Sequence, residues 1–145
     1  MAAPLQKYEG VARSGFYSVD SLNGLHLLIV DPDADGREIV GAILRYCGAL
    51  VTEVASPAEA LEVMEVVKAN VMIVRVRPKG ATMKIVRRVR TLKPEAGGVI
   101  PVVAVVAAGS GVTEEQARAA GFDAFIAMPL DPWVLCRLIS SLVSG

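Results

Sequence analysis

The feature that most constrains this chain is an apolar run that ends in a cluster of carboxylates. Leu25–Val30 is followed at once by Asp31-Pro32-Asp33-Ala34-Asp35-Gly36, and an amphipathic helix pattern starts there. An apolar run this short, bounded by turn residues, reads as a fully buried strand. Buried strands that alternate with helices call for a parallel sheet covered on both faces. In such sheets ligands bind beyond the carboxyl ends of the strands, where the strand order switches. Three carboxylates just past the first strand therefore stand where this architecture keeps its chemistry. What the site can do depends on which residues the other strand ends contribute.

The chain's 145 residues suit a single domain with a proper core. A hydrophobic content of 53% is high, as expected when strands are apolar on both faces. The longest apolar run, Val99–Ala108, is interrupted by Pro101 and falls well short of the roughly 18 residues of a membrane span. No basic segment followed by an apolar one opens the chain, so no signal peptide is expected. Cys47 and Cys136 both fall on apolar helix positions and read as buried, reduced thiols of a cytoplasmic protein. His26 has no Cys or His at ligand spacing and reads as structural.

Five strand patterns alternate with five helix patterns. The strands are Leu25–Val30, Leu50–Val54, Val71–Val76, Val99–Ala107 and Phe125–Ala127. The first helix spans roughly 33–46, with Asp33 or Asp35 as its cap, Ile39, Val40, Ile43, Leu44 and Cys47 as its apolar stripe, and Gly48 as its stop. Ser56-Pro57-Ala58-Glu59 opens the second helix with a capping box and a proline at the first helical position. The third helix is expected from about Thr82 to Leu92. Thr113-Glu114-Glu115-Gln116 is a second capping box, and Asp131-Pro132 caps the last helix. Residues 1–24 show no sustained periodicity and read as a flexible N-terminal extension, in which Tyr8, Phe16 and Tyr17 can dock on the domain or on a partner. The reading is one domain over 25–145, a doubly wound α/β fold with a five-stranded parallel sheet of flavodoxin-like topology.

From Leu25 to Val143 the chain resembles the receiver domain of two-component response regulators. The resemblance rests on the acidic cluster after strand one, Ser-Pro-x-Glu-Ala at helix two, and the Pro78-Lys79-Gly80 turn. It continues with Ile100-Pro101-Val102-Val103, Ala120-Gly121-Phe122-Asp123-Ala124-Phe125 and Met128-Pro129-Leu130-Asp131-Pro132. In that family an aspartate at the end of strand three takes phosphate from a histidine kinase. Two acids after strand one hold Mg²⁺, a Ser or Thr ends strand four, and a Lys ends strand five. A hard cation needs oxygen ligands, and the cation and the Lys offset charge on the moving phosphoryl group.

This chain departs from that pattern at almost every one of those positions. Asp31 matches the first acid, Pro32 replaces the second, and Asp33 follows in shifted register. Arg75 or, because the turn is one residue short, Val74 stands at the phosphoacceptor position, and no Asp or Glu occurs from Val66 to Pro94. Val106 replaces the Ser or Thr and Met128 the Lys, while Phe125 keeps the switch-aromatic position of strand five. The resemblance thus implies a pseudo-receiver that is not an enzyme, holds no metal or cofactor, and signals by protein contact without aspartyl phosphorylation. Arg75 is expected to pair with Asp31 or Asp33 in the vestigial pocket, the alternative being a solvated arginine.

Net charge is zero, which argues against nucleic-acid binding, but nine Lys or Arg and no acid lie between Val66 and Pro94. That run is either a solvated face or a docking face for an acidic protein partner, with Arg87, Arg88 and Arg90 at its core. Trp133 is open between an interaction surface and packing over the domain edge. A homodimer is compatible with this reading, and a membrane partner is not expected. The alternative function is a small Mg²⁺-dependent phosphatase, because Asp31-Pro32-Asp33 after an apolar strand also resembles the DxD start of haloacid-dehalogenase-type phosphatases. That family also needs a Ser or Thr after its second strand, a downstream Lys and a late acidic pair; Asp123 and Asp131 are not such a pair, the chain is short, and no cap domain is expected. The Asp-x-His-x-x-Gly loop of cobalamin-binding domains is absent, as is the Ser/Thr-rich loop of flavin binders, and Gly109-Ser110-Gly111 lacks the spacing of a phosphate loop.

Overall fold

Five short strands pair in parallel to form one sheet in the computed structural model, which describes residues 22–144. They are β1 (His26–Val30), β2 (Leu50–Val54), β3 (Val71–Arg75), β4 (Val102–Val106) and β5 (Ala124–Ala127). Five helices alternate with them: α1 (Ala34–Tyr46), α2 (Pro57–Met64), α3 (Ile85–Val89), α4 (Glu114–Ala119) and α5 (Pro132–Ser144). The sheet order is β2-β1-β3-β4-β5, so the chain reverses direction across the sheet between β1 and β3. That is the expected flavodoxin-like order, with its switch point at the β1/β3 crevice.

Side-chain alternation sorts the core into two layers. Leu27 and Ile29 of β1, Val71 and Ile73 of β3 and Val103 and Val105 of β4 pack beneath α1 and α5, with Leu44, Leu135, Leu138 and Ile139. Leu28, Val30, Met72, Val74, Ala104 and Val106 face the opposite way, toward Met64 of α2, Ile85 and Val89 of α3 and Ala117 of α4. β3 and β4 are buried on both faces, which is why their sequences do not alternate apolar with polar.

Several boundaries differ from expectation. Asp33, and not Asp35, caps α1, its side chain accepting the Asp35 N–H. The buried stripe of α1 runs through Gly36, Val40, Gly41 and Leu44, and Ile39, expected inside, is half exposed at 53%. β4 begins at Val102, while Val99 lies outside the strand and is 68% exposed. The third helix is a 3₁₀ turn, Ala81–Lys84, running into a short α-helix. Of the two expected capping boxes, the one at Thr113 forms in full and the one at Ser56 forms its N-cap half. Ser56 accepts the Glu59 N–H, and Thr113 and Gln116 cap each other reciprocally.

The folded domain reaches back beyond Leu25. Leu22 is fully buried, and its N–H donates to the Cys47 carbonyl at 3.0 Å. Most of the expected extension, with Tyr8, Phe16 and Tyr17, lies outside the described residues.

The two cysteines require a correction: they are not separate thiols but a disulfide, Cys47–Cys136. The C-terminal end of α1 and the middle of α5 lie side by side on one face of the sheet, with Cα atoms 6.9 Å apart. Sequence spacing could not show this, because 89 positions separate them. His26 Nε2 lies 2.6 Å from the Thr52 hydroxyl on the neighbouring strand.

Candidate functional site: an arginine in the strand-end crevice

Register alone places the two central residues of the site. Val30 of β1 pairs with Val74 of β3, so the next residues along, Asp31 and Arg75, leave the sheet side by side. Both continue the side-chain parity of Leu27, Ile29, Val71 and Ile73, and so both turn toward α1. They meet there: Arg75 Nε lies 3.5 Å from Asp31 Oδ2, with the two side chains only 13% and 3% exposed. Val74 is fully buried in the opposite apolar layer. Of the two residues open for this position in the sequence, Arg75 is the one beside Asp31.

Asp31 is fixed through both its side chain and its backbone. Its Oδ1 accepts the Asp33 N–H at 2.9 Å, and its backbone carbonyl accepts Arg37 Nη1 at 2.7 Å. Gly36 in the first turn of α1 makes room for it: a Cβ there would collide with Asp31 Oδ2 and come within 3.3 Å of the Arg75 guanidinium. On the other side, the buried hydroxyl of Thr82 donates to the Arg75 carbonyl at 2.6 Å, fixing the end of β3 to the 3₁₀ turn. Gly36, Arg37 and Thr82 were not singled out in the sequence. Their role depends on which strand ends are neighbours, which local pattern does not reveal.

Asp33 is exposed and is occupied in capping α1, accepting the Asp35 N–H at 3.1 Å. It makes no ion pair with Arg75. Val106 is buried at the end of β4, and Met128, half-buried, follows β5 with its N–H on the Val106 carbonyl at 2.7 Å. Neither side chain offers a polar group to the crevice. Phe125 is buried in the α2–α4 layer.

The crevice does not fit a divalent cation. One Asp31 oxygen faces a guanidinium and the other accepts a backbone N–H, while a hard cation needs several free oxygens. Among the described residues no group of three or more His, Cys, Asp or Glu could hold a metal. What the arrangement offers instead is a permanent cation covering the one buried carboxylate at the switch point.

The three arginines of the basic run separate. Arg87 and Arg88 are exposed on α3. Arg90 is bound intramolecularly, donating to the carbonyls of Gly98 and Ile100 and lying 3.0 Å from Asp123 Oδ2. Asp123 also accepts the Val102 N–H, so this pair clamps the end of α3 to the start of β4 and to the turn before β5. Trp133 is half-buried at a cleft beside Tyr46 and Cys47.

No protein-family model matches the chain. A relative 29% identical over 122 residues is the uncharacterized 14.6 kDa protein of the sodA1 3′ region of Leptolyngbya boryana, and the match covers 83% of this chain and 92% of that one. Among solved structures, a putative response regulator from Chloroflexus aurantiacus is 25% identical with a TM-score of 0.75, over 83% of this chain and 98% of that one. The receiver domain of the sensor histidine kinase PA1611 from Pseudomonas aeruginosa is 23% identical with a TM-score of 0.73, over 84% and 99%. That domain carries a magnesium ion in its active-site cleft. The chain thus has the receiver fold. Among its described residues no helix is long and apolar enough to cross a membrane.

Proposed function

We propose that this chain is a pseudo-receiver of two-component signalling, which takes no phosphate at its strand ends and acts through protein contacts. The observation that carries this reading is Arg75 on Asp31 at the β1/β3 switch point. Phosphoryl transfer to a carboxylate needs a nucleophile at the end of β3 and a cation to spread the charge. Here the end of β3 bears a guanidinium, no acid occurs from Val66 to Pro94, and the Asp31 oxygens are both engaged. The arginine acts as a built-in counter-ion that holds the pocket in one state whether or not a kinase is present.

The test is mass spectrometry after incubation with a small acyl phosphate and Mg²⁺, beside a phosphorylatable receiver as control. An unchanged mass is expected. Phosphate mapped to Asp31 or Asp33 would overturn the reading and favour chemistry at the DxD pair. With the pocket inert, signalling falls to the surface. Arg87 and Arg88, exposed and without an ion pair among the described residues, suit an acidic protein partner. A cytoplasmic location accompanies this reading. There the Cys47–Cys136 bond must persist against reducing thiols, and burial of both residues (2% and 0% exposed) shields the sulfurs from exchange.

A further inference from the structure

The groove between α2 and α3 carries both signs of charge. One wall presents Glu62 and Glu65, the other Arg87 and Arg88, and all four are exposed. Leu61, Met64 and Leu92 line it between those walls. The groove encloses about 640 Å³, and although the four charges share it, none makes an ion pair among the described residues. Val66, just past the acidic wall, is 84% exposed. An apolar strip between an unpaired acidic wall and an unpaired basic wall is incomplete in the monomer. The basic wall needs acids, and the acidic wall needs bases.

Resting on the reading above that Arg87 and Arg88 receive acidic side chains of a protein partner, we infer that the partner is a second copy of this chain, docked groove to groove about a two-fold axis. In an isologous interface residue i meets j while j meets i, so a surface must be complementary to itself. This groove satisfies that condition. Glu62 and Glu65 of each copy face Arg87 and Arg88 of the other, and the apolar strips close on one another. A purely acidic partner would satisfy the arginines and leave the glutamates facing like charge. The zero net charge of the chain removes the long-range repulsion that would oppose pairing of identical molecules.

The test is sedimentation velocity on the full chain over a concentration series, at low and at high salt, with two charge-reversed variants, E62R/E65R and R87E/R88E. The parent chain is expected to dimerise, with affinity falling at least about tenfold at high salt, as exposed charge pairs are screened. Each variant alone has one sign on both walls and is expected to be monomeric. Mixed together they restore opposite signs across the interface, and a heterodimer is expected to return. Circular dichroism of each variant checks that the fold is kept. The recovery on mixing is a result that unfolded variants could not give. A parent that stays monomeric at every concentration overturns the inference, and would leave the groove to a different protein of mixed charge. A dimer that both variants retain also overturns it, since the contact would then lie elsewhere. Phosphodonor mass spectrometry on the same samples reports on the pocket separately, so failure of the dimer and failure of the inert pocket appear in different readouts.

Discussion

Replacing Arg75 with methionine removes the guanidinium and keeps most of the apolar stem, leaving Asp31 buried without its cation. At the observed 3.5 Å, the gross attraction between unit charges is roughly 5 kcal/mol for an effective dielectric near 20. Desolvation opposes most of that attraction, but the variant does not recover it, because Asp31 remains only 3% exposed. Breaking a fully buried pair from one side costs about 3–5 kcal/mol. Two features reduce the figure here. Arg75 keeps 13% exposure, and Asp31 keeps the Asp33 N–H. The expected cost is therefore about 2–3 kcal/mol, equivalent to a fall of about 10 °C in Tm for a domain of this size. Urea denaturation of the parent, Arg75→Met, Asp31→Asn and the double variant forms a cycle. The double variant should be more stable than the sum of the two losses predicts, by about 2 kcal/mol, since neither charge is then left alone. An Arg75→Met variant within about 0.5 kcal/mol of the parent, or a cycle that closes additively, would refute the pairing argument.

The disulfide joins cysteines 89 positions apart in sequence, a loop that the chain-entropy account values at up to about 4–5 kcal/mol. Oxidised and reduced samples should therefore unfold at clearly different urea midpoints, and coincident curves would mean that the bond contributes nothing. Arg90 and its two neighbours should separate in the same assay. Arg90→Ala abandons two carbonyls and the Asp123 carboxylate and should cost about 1–2 kcal/mol, whereas R87E/R88E, compared at a protein concentration where the parent is monomeric, should stay within about 0.5 kcal/mol of it. Equal losses would return Arg90 to the exposed face and undo the clamp.

The architecture was legible in the order of residues alone. Apolar runs of strand length, capping boxes at Ser56 and Thr113, and Asp-Pro before α5 are local signals, each readable because hydrogen-bonding and burial demands repeat along the chain. It also put Arg75 or Val74, Val106 and Met128 at the strand ends, the positions on which the proposed loss of phosphoryl chemistry rests. Two errors arose where helix periodicity was extrapolated. Ile39 falls beside the buried stripe of α1, and the third helix opens as a tighter 3₁₀ turn and is shorter than its pattern suggests. Contacts between distant segments were decided only by the tertiary structure. The β1/β3 register put Arg75 on Asp31 and not on Asp33, packing of α1 beside α5 joined Cys47 to Cys136, and the turn before β5 captured Arg90 through Asp123. Each pairing depends on which elements become neighbours in the sheet, and no local spacing carries that information. The opposed charges of α2 and α3 face one another across a groove for the same reason.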